Sequence, residues 1–135
     1  MKAIQVDGEN LIWADFERPA CGPGHLRIEV AASAINRADL MQRNGGYPPP
    51  PGASPIMGLE CSGTVTELGE GVSSFAVGDE VCALLAGGGY AEEVVVPAGQ
   101  VVFTEGDVDD CLYLLYRGLV VSVSELPRTR GHSTK

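Results

Sequence analysis

Hydrophobic and polar positions alternate along much of this chain, and the alternation predicts short strands. From Leu59 to Leu68, Leu59, Cys61, Gly63 and Val65 fall on one side while Glu60, Ser62, Thr64 and Thr66 fall on the other. That is the period of a strand with one face buried. Gly69 and Gly71 break the run, Val72, Phe75 and Val77 supply an apolar patch beneath the loop, and Gly78-Asp79 turns the chain into Val81–Leu85, apolar on both faces. Two strands of this kind need neighbours on every side, so the flanking segments must close a barrel or sandwich.

The flanks comply. Lys2–Val6 and Leu11–Phe16 read as strands joined through the turn formers Asp7-Gly8-Glu9-Asn10, a hairpin. Pro19, Gly22, Pro23 and Gly24 interrupt, and His25–Ala34 alternates again with Leu26, Ile28 and Val30 on its apolar side. At Ala34–Asn44 the period changes. Ile35, Leu40 and Met41 with Asn36 and Asp39 between them predict a short helix near residues 36–43. Gly45-Gly46-Tyr47 and four consecutive prolines, Pro48–Pro51, then end it. Such a run lacks backbone donors and favours an extended polyproline form, which makes a rigid surface loop.

Farther along, Ala86–Tyr90 (AGGGY) has neither the spacing nor the following Lys-Ser/Thr of a phosphate loop, and reads as a tight turn before a strand at Tyr90–Val96. Leu112–Tyr116 and Leu119–Val123, separated by Arg117-Gly118, predict a second hairpin, and the polar 125–135 stretch reads as a frayed tail.

Composition narrows the function classes. The 135 residues carry a formal charge of −9 and no basic patch, which disfavours nucleic acid and anionic membranes as partners. No apolar run approaches membrane-spanning length, and the N-terminus lacks the apolar core of a signal peptide, so a cytoplasmic setting is expected. Cys21, Cys61, Cys82 and Cys111 are widely spaced, without a C-x-x-C pair; Cys61 and Cys82 sit in apolar strand patterns and read as small hydrophobes.

The wording of Gly58–Val81, G-x-E-x-x-G-x-V-x-x-x-G-x-G-V-x-x-F-x-V-G-D-x-V, continued by Gly87-Gly88-Gly89-Tyr90-Ala91-Glu92, resembles the N-terminal GroES-like domain of the medium-chain dehydrogenase/reductase superfamily. Within that superfamily, Val30–Pro51 is most similar to the zinc-free NAD(P)H:quinone oxidoreductases. The resemblance spans residues 1–102. It implies a mainly β, GroES-like, partly open barrel with one short helix, to which the second hairpin is an addition. It also implies a domain at 1–100 for the barrel, after which the hairpin pattern sets 101–124 and the polar composition 125–135 as the tail.

Site residues follow from the same resemblance. Zinc-dependent relatives would place a Cys at Asn36 and a His at Leu59; an amide and an isobutyl group cannot replace thiolate and imidazole, so no zinc is expected. Asn36 and Tyr47 would line the cleft beside NAD(P)H and the acceptor, serving both cofactor binding and catalysis, with Asp39 as a third catalytic candidate. For Asp39 the residues equally suit a local helix cap, and Glu60 suits a satisfied strand carboxylate.

The chemistry implied is hydride transfer from NAD(P)H to a quinone, which asks mainly for positioning and a proton source. A dinucleotide site is not visible in the sequence. One βαβ unit needs about 30 residues, and the stretch after position 100 holds no glycine fingerprint. The isolated chain is therefore expected to be inactive unless another chain, a homo-oligomer or a partner, provides the nucleotide domain. The competing class is a non-enzymatic β interaction module or truncated fusion.

Residues 101–124 carry a second, shorter resemblance, to the opening of a cyclic-nucleotide-binding β-roll, through Phe103, Glu105-Gly106-Asp107, Asp110, Leu112-Tyr113, Gly118 and Val120. The arginine-bearing phosphate cassette of that family has no counterpart in 124–135, so cyclic nucleotide binding is not expected.

Overall fold

The structure, a computed structural model, describes residues 1–8, 10–104, 112–116 and 119–123. The expected tail, the Arg117-Gly118 turn and the Glu105–Asp107 and Asp110 positions lie outside them.

Strand β1 (Lys2–Asp7) pairs antiparallel with β2 (Asn10–Asp15) as the first hairpin. Next come β3 (His25–Ala32), helix α1 (Arg37–Arg43), β4 (Glu60–Leu68), β5 (Glu80–Leu84), β6 (Glu93–Pro97) and, after a single 3-10 turn, β7 (Val101–Thr104). Strands β3 to β7 form one antiparallel sheet in the order β6-β3-β4-β5-β7, curled into a half-barrel. The architecture is therefore the mainly β, partly open barrel with one short helix that was expected. Strands β8 (Leu112–Tyr116) and β9 (Leu119–Val123) pair with each other in a separate two-stranded sheet, at the expected positions.

The core sits inside the curl. Leu26, Ile28, Cys61, Val65, Val81, Ala83, Val94 and Val96 are buried in one cluster, and Ala3, Ile56 and Ala91 in a second beneath the first hairpin. Phe75 packs on the larger cluster, whereas Val77 stays 64% exposed, so the apolar patch expected beneath that loop is narrower than the pattern suggested. The turn at Gly78 hangs from Val65 O, which leaves Val77 outside.

Gly63 makes the curl possible. A Cβ there would lie 1.9 Å from Glu29 O, and the β3–β4 register slips beside it, between Val30 and Ala32. Only a residue without a side chain lets the two backbones approach this closely.

Arg27, on the polar side of the β3 pattern, is buried with its charge. Its side chain, 4% exposed, donates to Glu67 of β4, Glu93 of β6 and the carbonyl of Pro19, and Glu93 also receives Arg18. At Arg27, β3 is thus covered on both faces, by apolar residues on one side and by an ionic clamp on the other.

The hairpin β1–β2 differs. Ala3 and Ala14 share its inward face, while Val6, Leu11 and Trp13 point outward, Trp13 being 54% exposed. The last predicted strand also begins later than expected. Tyr90 N donates to Met57 O, Tyr90 O accepts from Ile4 N, and Ala91 makes only an isolated bridge to Ala3, so the backbone serves neighbours other than β3 until Glu92, whose carbonyl accepts from Val30 N. β7 pairs with β5, so the half-barrel sheet runs on to Thr104.

Candidate active site

Helix α1 owes its start to two residues. Asn36 adopts an extended backbone at the N-cap, and its N–H donates to Asp39 Oδ2 at 2.7 Å. Asp39, at the third helical position, thereby occupies the acidic half of a capping box. A carboxylate in the first turn also favours the positive end of the helix dipole. The helix ends where Gly45 and Gly46 donate to Gln42 O and Met41 O, and Pro48 forbids continuation.

The amphipathic pattern of this helix is inverted. Asp39 is 1% exposed, while Ile35, Leu40 and Met41 are 74%, 53% and 45% exposed. What draws the carboxylate inward is Tyr90. Its hydroxyl is shared between Asp39 Oδ2 at 2.9 Å and Ala34 O at 3.2 Å. Burial raises the Tyr90 phenol well above its ordinary range, and the hydrogen bond to Asp39 adds to that, so the group remains a donor. Asp39 Oδ1 is buried and without a partner among the described residues.

Tyr90 is positioned in turn by glycine. Gly58, at φ +102°, lets the 57–58 backbone lie against Gly89–Tyr90; a Cβ there would stand 2.6 Å from Tyr90 N. Ser33 Oγ donates to Glu60 O at 2.7 Å on the same side. Glu60 is buried. Its charge raises Cys82, pushed up to about 11 chiefly by burial, and contributes to Cys61, pushed up to about 12 by burial and its neighbour Cys82. Neither thiol offers a thiolate at neutral pH.

The structure thus joins Asn36 to Asp39 and adds Tyr90 to the pair. Tyr47 stands apart, 42% exposed beyond the helix, and among the described residues no hydrogen bond ties it to the other two. Tyr90 was missed as a site residue because its position after three glycines looks like turn chemistry alone; nothing local reveals a carboxylate 51 positions away.

A cleft of about 380 Å³ lies on another side of the sheet, between Pro50–Ser54, Leu85–Gly88 and β6, and does not include Asn36, Asp39 or Tyr47. Among the described residues no three His, Cys, Asp or Glu side chains gather as metal ligands. A nicotinamide dinucleotide also fits these residues poorly. Every strand pair described is antiparallel, whereas a pyrophosphate cradle is built at the glycine turn of a parallel βαβ unit.

Comparison with known proteins matches residues 22–105 to the alcohol dehydrogenase GroES-like domain. The chain is 44% identical over 82 residues to synaptic vesicle membrane protein VAT-1 homolog of Rattus norvegicus, covering 61% of this chain and 20% of that protein. It is 34% identical over 104 residues to 2-haloacrylate reductase of a Burkholderia species, covering 75% and 31%. Among solved structures it superposes on a quinone oxidoreductase of Pseudomonas syringae pv. Tomato DC3000 with TM-score 0.65 and 33% identity, covering 80% of this chain and 34% of that one. A mycobacterial protein complexed with NADPH superposes with TM-score 0.66 and 33% identity, covering 81% and 35%. The chain therefore spans between a fifth and a third of the length of these curated relatives.

Proposed function

The chain belongs to the alcohol dehydrogenase GroES-like domain family, and from that premise we propose that it is the N-terminal, acceptor-side part of a zinc-independent NAD(P)H:quinone oxidoreductase. The observation that carries this reading is Asn36, an amide at a helix N-cap where zinc-dependent relatives would need a thiolate. The exposed apolar face Ile35, Leu40 and Met41 supports it, because such a face beside the candidate site suits a second domain closing over it.

In this chemistry reduced nicotinamide supplies a hydride to the acceptor, and the described residues give it no cradle. The chain's own contribution is the acceptor wall: the Asn36 amide and Tyr47 phenol offer hydrogen bonds to quinone oxygens, while Asp39 and Tyr90 fix the helix from which Asn36 projects. An activated alkene in place of the quinone is a second reading, favoured by the identity to 2-haloacrylate reductase.

Titration of the isotope-labelled chain with a water-soluble quinone tests this. Saturable shifts at the Asn36 side-chain amide and around Tyr47 are expected; the absence of shifts there would favour the non-enzymatic module. A 2-haloacrylate titration separates the two acceptors. NADPH-dependent turnover by the 1–135 chain alone, above a mock-purified control, would overturn the claim that the hydride donor is held elsewhere.

A further inference from the structure

The segment Tyr47–Pro51, YPPPP, is the one sequence motif that neither the fold nor the candidate site uses in full. We propose that it is a docking strap for a protein domain that reads polyproline helices through a groove lined with aromatic rings. The inference does not rest on the oxidoreductase reading.

Covalent geometry sets the shape of this strap. Each proline fixes its own φ near −65°. Tyr47, Pro48, Pro49 and Pro50 each precede a proline, which excludes the helical region for all four. All peptide bonds described are trans. Pro48, Pro49 and Pro50 are therefore confined to the polyproline II basin, a left-handed helix with three residues per turn.

Exposure and anchoring make it available. Residues 47–52 are all exposed. Upstream, Gly45 and Gly46 are tied to the end of α1; downstream, Ala53 donates to Pro50 O and Ile56, bonded to Ser54 Oγ, is buried in the second core cluster. The strap is held at both ends and bare in the middle, so little ordering entropy remains to be lost on binding.

Its chemistry selects the partner. Prolines present carbonyl acceptors and apolar rings but no N–H, and among the described residues only Pro50 O of the Pro48–Pro50 carbonyls receives a hydrogen bond. A groove of Trp and Tyr side chains supplies both the flat surfaces and the N–H or O–H donors that such a ligand lacks, as in SH3, WW and EVH1 domains. Tyr47 adds an aromatic anchor at one end. A bound domain would cover Tyr47, and with it one candidate wall of the acceptor site.

Calorimetric titration of the intact chain with representative purified SH3, WW and EVH1 domains tests the proposal. Saturable one-to-one binding in at least one arm is expected. The double substitution P49A/P50A should weaken that binding at least tenfold, or about 1.4 kcal/mol, with an unchanged circular dichroism spectrum. P55A, outside the strap, should leave it unchanged. Absence of saturable heat in all three arms, or binding that P49A/P50A leaves intact, overturns it.

Discussion

Tyr90 Oη lies 2.9 Å from Asp39 Oδ2, and this one contact ties the turn before β6 to the first turn of the only α-helix described. Because Asn36 N donates to the same oxygen, the candidate acceptor residue Asn36 is held through Asp39 and Tyr90. Asp39 thus does the work of a cap and a tether at once.

Replacing Tyr90 by Phe deletes one hydroxyl and leaves the ring in place. The carboxylate then loses a buried donor, so a loss of about 1–3 kcal/mol in urea unfolding is expected. D39A should cost a similar amount, and the double variant less than the sum, since both remove the same bond. Additive losses would show that the contact is not formed in solution.

Arg27 offers a second test. R27M keeps most of the aliphatic stem but removes the donors to Glu67, Glu93 and Pro19 O. A loss of roughly 2–3 kcal/mol is expected, below the cost of orphaning a fully buried ion because Glu67 stays about half exposed and can regain water. Thermal unfolding with a change under about 1 kcal/mol would contradict the clamp.

Acid should weaken the fold through Glu93. The hydrogen bond from Arg18, aided by the charges of Arg18 and Arg27, holds its carboxyl below the ordinary value of 4.5. The unfolded chain then binds the proton first, so this stabilisation is complete above about pH 4.5 and is lost as pH falls through the lowered native value. E93Q should flatten the acid limb of a plot of unfolding free energy against pH.

Base acts with the opposite sign. Cys61 and Cys82, pushed up to about 12 and about 11 in the native protein, ionise from 9.0 when unfolded. Their contribution is complete below pH 9.0 and lost as pH rises through the native values. The variant with both cysteines changed to Ala should show a shallower alkaline decline, whatever its overall stability.

Gly63 tolerates no side chain, because the atom that a Cβ would meet is a backbone carbonyl, Glu29 O, which cannot rotate away. G63A is expected to cost about 3 kcal/mol or more, seen as a lower melting temperature or loss of soluble protein. A wild-type melting temperature would mean that the strands are not so close.

Much of this fold was legible in the sequence because strand periodicity is local. Leu26 and Ile28, and Cys61 and Val65, announced their buried face by spacing alone, and the two hairpins by their turns. The helix was placed correctly but its orientation was not legible, since Asp39 is buried while Ile35, Leu40 and Met41 are exposed. That failure is physical: the side chain that pulls Asp39 in, Tyr90, comes from another part of the chain. Arg27 was hidden for the same reason, as its partners Glu67 and Glu93 lie on the strands either side of it. β7 is likewise visible only through its pairing with β5.

Trp13, the only tryptophan of the chain, stands more than half in solvent on the outer hairpin face. Its emission is therefore already that of a hydrated indole in the native state, and melting of the core will barely alter its colour. Fluorescence will report what touches β2, and the cooperative transition must be followed by a backbone signal such as ellipticity.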